Sequence, residues 1–193
     1  MSGGPQASRG APGLRMFYAL RPDSPTRMQI AAAAQSIVWA GSVRLVPPEN
    51  YHLTIAFVGE IGAERLPLLR RIGADLRAAS CTIEFDRTEY WPKPAVVVAA
   101  AREIPAALEH CWRALHQDLG RHEFQLDPKR LRPHVTLARK VAQAPVPTPI
   151  TKFAWRASEC CLMRSSGGGA QPVYTVVDTW PLLDDGEYSS KTL

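Results

Sequence analysis

Two short stretches of the chain, residues 47–60 (PPENYHLTIAFVGE) and residues 132–139 (RPHVTLAR), contain the same His-x-Thr pattern. In each stretch the pattern lies in an apolar run that is typical of a β-strand. Because successive side chains of a strand point to opposite faces, the histidine and the threonine share one face while their apolar neighbours fill the other. Two such pairs suggest one symmetric active site. The four candidate residues are His52, Thr54, His134 and Thr136.

The length and composition fit one globular domain. The chain has 193 residues, 46% of them hydrophobic, which is enough to bury a core without disulfide or metal support. Residues 1–14 are rich in Ser, Gly, Pro and Ala, with no apolar segment that would serve as a signal peptide or membrane span. Residues 184–193 are polar and without periodicity. We therefore expect disordered tails at both ends and a domain over residues 15–183 that has no membrane partner and acts as a monomer.

The cysteines and the remaining histidines favour a cytoplasmic protein without a cofactor. None of the four cysteines falls in a Cys-x-x-Cys spacing, so reduced thiols are the simplest interpretation. His110, His116 and His122 are six residues apart, which scatters them around a helix rather than gathering them at a metal. The chain also lacks His-Glu-x-x-His, phosphate-loop and dinucleotide motifs, so no metal, ATP or NAD is expected.

Positive charge is concentrated around the second His-x-Thr pattern. The formal net charge of +5 is a modest basic excess that favours an anionic partner without naming it. Three cations precede the second pattern and two follow it, an arrangement that would draw a phosphate-bearing substrate; the alternative is a solvated basic loop. The five cations are Lys129, Arg130, Arg132, Arg139 and Lys140.

The remaining patterns predict an α+β fold made of two similar halves, with a mainly antiparallel sheet. Helices are expected over residues 24–39, with Ser24 as the N-cap, over residues 63–79 and over residues 105–119. Loops are expected at residues 90–94 and 167–169. Besides the two patterned strands, the first of which Gly59 is expected to end, strands are expected at residues 16–20, 43–46, 82–86, 95–101, 153–163 and 173–180.

Paired histidines and threonines suit phosphodiester hydrolysis. Imidazole titrates near neutrality, so one ring can accept a proton from water while the other donates a proton to a leaving oxygen. The two hydroxyls can donate hydrogen bonds to the non-bridging phosphate oxygens and stabilise the charge that develops on them. The alternative interpretation is two ordinary core histidines.

At these residues the chain resembles the two-histidine phosphoesterases. Within that superfamily it is most similar to the bacterial RNA 2′,3′-cyclic phosphodiesterases, also called 2′-5′ RNA ligases. The likeness extends from the strand that opens at Arg15 to the strand that closes at Leu182. It implies a bilobal α+β fold in which two similar halves, with helices outside, face each other across a central cleft.

The resemblance also implies an activity, the hydrolysis of RNA 2′,3′-cyclic phosphate ends to 2′-phosphate without a metal. Lys129, Arg130 and Arg132 are then expected to steer the RNA backbone. Trp91, in its expected loop, is a candidate to stack on a base. By position, the resemblance assigns catalysis to His52 and His134, phosphate binding to Thr54, Thr136 and Arg139, and the base-binding edge of the cleft to Phe57.

Three questions stay open from the sequence. The assignment of His52 as acid and His134 as base is a hypothesis that the sequence does not decide. The same site would also suit a cyclic phosphate on another nucleotide, a 2′-5′-linked oligonucleotide or the joining of RNA ends. A non-catalytic RNA-binding module is the alternative from a different class, although binding alone would not require both imidazoles.

Overall fold

A computed structural model describes residues 13–146, 150–166 and 172–184. The expected tails lie almost entirely outside these residues, and so does the expected loop at residues 167–169. The described residues form an α+β fold. The helices are α1 (Ser24–Gln35), α2 (Leu66–Asp75) and α3 (Ala106–Arg121). The strands are β1 (Leu14–Leu20), β2 (Arg44–Leu45), β3 (Leu53–Ile61), β4 (Cys81–Trp91), β5 (Val96–Ala101), β6 (His134–Arg139), β7 (Phe153–Ala157), β8 (Glu159–Ser166) and β9 (Val173–Pro181).

The strands form two antiparallel sheets, and each sheet carries one His-x-Thr pattern. The four-stranded sheet has the order β3-β1-β8-β9, and the five-stranded sheet has the order β2-β6-β5-β4-β7. The sheets are not sequence halves. The C-terminal strands β8 and β9 belong with the first pattern, and the early strand β2 belongs with the second.

Each sheet buries one face in the main hydrophobic core and lines the site with the other. Helices α2 and α3 contact the four-stranded sheet, and α1 contacts the five-stranded sheet. The approach of α2 is close, because a Cβ on Gly73 would overlap the Trp180 ring. Small separate apolar clusters cover the opposite faces of the sheets. They consist of Phe17, Ala19, Cys161 and Met163 on one sheet and of Val96, Val98 and Ala100 on the other.

Two strand predictions were wrong, because pairing with neighbouring strands, rather than the local sequence pattern, sets where these strands begin and end. Tyr90 and Trp91 belong to β4 and not to a loop, because pairing with β5 continues as far as Trp91 and Val96. The strand predicted over residues 153–163 is divided into β7 and β8, which lie in different sheets. The chain crosses between the sheets at Ser158, whose carbonyl accepts a hydrogen bond from the Leu182 N–H at 2.8 Å.

Helix ends also differ from prediction. Asp23, not Ser24, is the N-cap of α1, and its carboxylate accepts the Thr26 N–H at 2.8 Å. The same helix ends at Gln35 rather than near residue 39, and the Ser36 hydroxyl donates to the Ala33 carbonyl at 2.8 Å. Strand β3 passes through Gly59, which adopts a φ of 86° inside the strand rather than ending it. Within the described residues no helix has the length and apolar character to cross a membrane.

Candidate active site

His52 is held immediately before β3 by its own backbone. Its Nδ1–H donates to the Asn50 carbonyl at 2.7 Å, and the 3₁₀ turn Pro48–Asn50 presents that carbonyl. A neutral imidazole carries one N–H, so this bond fixes the tautomer and leaves Nε2 as an acceptor. The first histidine is therefore suited to proton transfer through Nε2.

His134 has the same arrangement at the start of β6. Its Nδ1–H donates to the carbonyl of Arg132, again two residues earlier and again at 2.7 Å. Both rings thus expose the same nitrogen in the same tautomer. The repeated geometry predicts that the two histidines can exchange protons with one substrate in equivalent ways.

A β-bulge in each patterned strand moves a third side chain onto the site face. In β6 the register shifts between Val97 and Val98 of the neighbouring strand, so that Thr136 opposes Val98 and Arg139 opposes Val96. Val96 and Val98 point the same way, and Arg139 therefore shares the face of Thr136 although the two are three residues apart. His134 joins that face, opposite Ala100.

The equivalent bulge in β3 brings Phe57 to the face of Thr54. Thr54 pairs with Ala19 and Phe57 pairs with Phe17, with a register shift between them. Phe57 is 61% exposed, and its ring lies 5.9 Å from that of Phe17. The pattern is therefore His-x-Thr-x-x-aromatic in the first half and His-x-Thr-x-x-Arg in the second.

Aromatic rings enclose His52. The ring of Phe17 lies 5.2 Å from its ring, and Tyr174 of β9 meets it edge-on at 4.8 Å. The hydroxyl of Tyr174 in turn accepts a hydrogen bond from Arg139 Nη2 at 3.3 Å. Since Tyr174 touches a residue of each half, the two patterned faces lie within one side chain of each other.

His134 lies against an aromatic ring that is held by charged groups. The Trp91 ring is 4.5 Å from His134, and the Trp91 Nε1–H donates to Glu89 Oε2 at 3.0 Å. The guanidinium of Arg132 lies 4.7 Å from the Trp91 ring and forms an ion pair with the same carboxylate. Glu89, Trp91 and Arg132 thus form a linked group behind the second histidine.

The electrostatics of the site favour neutral histidines and an anionic ligand. Burial lowers the pKa of His52 to about 4, and the charges of Arg139, His134 and Arg21 lower it as well. Burial also lowers the pKa of His134, with Arg132 and Arg139 acting in the same direction and Glu89 opposing them. A bound phosphate would offset this excess of positive charge and raise both pKa values.

The structure brings together six of the nine predicted site residues. Lys129 and Arg130 are exposed, and Lys129 pairs with Asp127 at 3.0 Å. The guanidinium of Arg132 forms an ion pair with Glu89 and lies over the Trp91 ring. The six that converge are His52, Thr54, Phe57, His134, Thr136 and Arg139.

Sequence reasoning missed three contributors to the site. Phe17 and Tyr174 lie on strands remote from the patterns, and Glu89 precedes the expected loop by one residue. Strand alternation along β4 would have placed Glu89 and Trp91 on one face, had the strand been predicted to continue. Nowhere in residues 13–146, 150–166 and 172–184 do three or more His, Cys, Asp or Glu side chains gather as a metal site.

Comparison with known proteins finds relatives that share this sequence and fold. The model of the LigT-like phosphoesterases matches residues 20–98. The RNA 2′,3′-cyclic phosphodiesterase of Escherichia coli is 27% identical over 169 residues, which cover 87% of this chain and 96% of that protein. The protein of the same name from Thermus thermophilus is 29% identical over 179 residues, which cover 88% of this chain and 90% of that protein.

A solved structure supports the same conclusion. The crystal structure of E. coli LigT complexed with 3′-AMP has a TM-score of 0.80 at 26% identity, and the match covers 89% of this chain and 99% of that chain. Sequence relatives and fold agree over nearly the whole described domain. In sequence and in fold the chain is therefore similar to the LigT-like phosphoesterases.

Proposed function

We propose that this protein hydrolyses RNA 2′,3′-cyclic phosphate ends to 2′-phosphates by general acid and base catalysis with His52 and His134. The observation that carries the proposal is the pair of imidazoles in one tautomer, each with Nε2 left available by a bond from Nδ1–H to a backbone carbonyl. The names of the relatives from E. coli and T. thermophilus support the substrate.

The reaction is a single displacement at phosphorus. One neutral imidazole accepts a proton from water through Nε2 as the new bond from water oxygen to phosphorus forms. The bond from phosphorus to the ribose 3′ oxygen breaks, and the protonated second imidazole gives its Nε2 proton to that oxygen. The products are a 2′-phosphate and a 3′-hydroxyl, and both proton transfers use side chains of this chain.

The residues that share the histidine faces bind the phosphate and the nucleoside. Thr54 and Thr136 donate hydrogen bonds to the non-bridging oxygens, and Arg139 neutralises their charge. Phe57 offers an exposed aromatic face for a base, beside Phe17. Trp91, once a candidate for that role, is instead packed on His134.

The assignment of His52 as acid and His134 as base stays part of the proposal, because the two rings have equivalent hydrogen bonds. Lys129 and Arg130 stay candidates for steering RNA, since both are exposed. We also propose that the enzyme acts as a monomer, because one chain supplies both histidines. We propose a cytoplasmic location as well, because reduced thiols are typical of that compartment. A dimer in light scattering at working concentration would contradict the monomer.

The first test is an assay with a short RNA that ends in a 2′,3′-cyclic phosphate, in EDTA. We expect chromatography to show a 2′-phosphate product from the wild type. The His52→Ala and His134→Ala variants should each lose about 10² to 10⁴ in rate, the usual contribution of one general acid or base. The same RNA with a 3′-phosphate end is the control and should be unchanged.

Other outcomes identify the alternatives. Wild-type turnover in both histidine variants would refute the mechanism. Turnover only of a 2′-5′-linked dinucleotide, or of a cyclic phosphate on ADP-ribose, would replace the substrate but keep the site. Joining of a 5′-hydroxyl RNA would identify a ligase. Binding without any turnover, with folding intact by circular dichroism, would identify a binding module.

A further inference from the structure

Two arginines lie directly opposite each other at the edge of the five-stranded sheet. Arg44 of β2 and Arg139 of β6 are partners in the antiparallel register, so their side chains share the face that carries Thr136. Like charges in directly opposed positions destabilise a sheet. A pair of arginines here therefore needs a compensating anion.

No described carboxylate supplies that compensation. Among residues 13–146, 150–166 and 172–184, neither Arg44 nor Arg139 forms a salt bridge, although nine other ion pairs are present. Arg44 Nη1 is buried and has no hydrogen-bond partner in this part of the chain. Burying a charged donor without a partner costs stability unless a ligand satisfies it.

The two arginines line one pocket beside the histidines. The pocket is shallow and partly open to solvent, so a phosphate would lie across its mouth rather than be enclosed in it. It also borders Asn50, whose carbonyl orients His52, and Tyr174, whose ring contacts His52. The pocket therefore adjoins the surroundings of His52 and is not on a remote surface.

We propose that this pocket is a second anion site, which binds the phosphodiester on the 5′ side of the terminal ribose. The inference rests on the proposed function, in which the cyclic phosphate itself is bound between the histidines and threonines. The next anion along an RNA chain is the phosphodiester on the 5′ oxygen of the same ribose. Arg44 binds that group, and Arg139 lies between the two phosphates. An enzyme with this second site prefers RNA ends to mononucleoside 2′,3′-cyclic phosphates.

The test compares two dinucleotides that both end in a 2′,3′-cyclic phosphate. One is joined by a phosphodiester and the other by a neutral methylphosphonate of the same shape. We expect the wild type to favour the phosphodiester in kcat/KM by roughly tenfold to a hundredfold, the effect of one charge-assisted hydrogen bond. In Arg44→Met that ratio should fall close to one.

Matched variants separate a local effect from a general loss of charge. Arg71→Met removes the same charge from the exposed surface of α2 and should keep the wild-type ratio. Arg44→Lys should keep part of it. Turnover of the methylphosphonate dinucleotide reports that each variant is folded. Equal kcat/KM values for the two dinucleotides in the wild type, or an unchanged ratio in Arg44→Met, would overturn the second anion site.

Failure of the proposed function would give a different result, namely no turnover of either dinucleotide. Binding then decides the question. Calorimetry with the phosphodiester and methylphosphonate dinucleotides that end in a 2′-phosphate should show the same difference, now in Kd, and Arg44→Met should abolish it. Equal Kd values for the two in the wild type would reject the site independently of catalysis.

Discussion

The two halves of the site share a backbone design but differ in what surrounds it. Each half has a histidine held by the carbonyl two residues earlier, a threonine beside it and a bulge that adds a third side chain. Around His52 the neighbours are the aromatic rings of Phe17 and Tyr174. Around His134 a tryptophan is backed by an arginine and a carboxylate.

The comparison separates what the chemistry requires from what tunes it. The histidine tautomer, the bond from Nδ1–H to the carbonyl two residues earlier and the position of the threonine are the same in both halves. The backbone therefore supplies the geometry of proton transfer. The surroundings set the charge state instead. Burial lowers the pKa of both rings, but only His134 has a carboxylate, Glu89, that opposes the effect. The halves are therefore equivalent in geometry and different in electrostatics.

The largest expected effect distinguishes the chemical roles of the halves. His52→Ala and His134→Ala should both be slow on a cyclic phosphate. On bis(p-nitrophenyl) phosphate, whose leaving group needs no proton, loss of the acid should matter little, whereas loss of the base should still cost about 10² or more. If His52 is the acid, His52→Ala keeps most wild-type activity on this diester, measured as p-nitrophenolate release.

The same assay can also reverse the assignment of acid and base. Retained activity in His134→Ala and not in His52→Ala would reverse the assignment while keeping the mechanism. Equal losses in both variants on the activated diester would show that the halves do not divide acid and base work.

A smaller effect tests the third side chain of each half. Arg139→Met should lower kcat/KM about tenfold to a hundredfold on every phosphodiester, because it removes a charged hydrogen-bond donor. Phe57→Ala should cost about fivefold, and only on substrates with a base that can stack. Ribose 2′,3′-cyclic phosphate without a base, beside a nucleoside 2′,3′-cyclic phosphate, makes the comparison. Parallel losses in Phe57→Ala on both substrates would remove the stacking role.

Much of this design was predictable from the sequence. The local spacing His-x-Thr sets alternation along a strand, so the shared face of His52 and Thr54 follows from two residues. Charge clustering singled out Arg139 among five cations, but the specific roles of Arg139 and Phe57 came from the family resemblance. Strict alternation would have put Phe57 and Arg139 on the opposite face, and only the bulges correct this.

What the sequence did not reveal depends on contacts between distant segments. Tyr174 reaches His52 because β9 pairs with β8 and β8 with β1, an order that no local pattern encodes. Glu89 becomes part of the site because β4 continues five residues past the predicted end at Asp86, held by pairing with β5. Strand length and sheet order are set by the whole fold, and the periodicity of a short window does not contain them.

The smallest expected effect is a shift in the pH profile, which isolates the carboxylate that only one half possesses. The charged groups that act on His134 are Arg132, Glu89, Arg139 and, across the cleft, His52. Since the charge of Glu89 raises the pKa of His134, Glu89→Gln should lower it, while the amide oxygen still accepts the Trp91 N–H. Arg132→Met removes a charge that lowers this pKa and should raise it.

Because burial lowers the pKa of both histidines, kcat/KM in the free enzyme should be greatest below pH 6.5. The limb of the profile that follows His134 should move to lower pH in Glu89→Gln and to higher pH in Arg132→Met. The limb near pH 4, which follows His52, should stay in place in both variants. Glu84→Gln, an exposed change on the same strand, is the control. Shifts of the same sign in both variants, or equal movement of both limbs, would mean that these residues support the fold generally and do not tune His134.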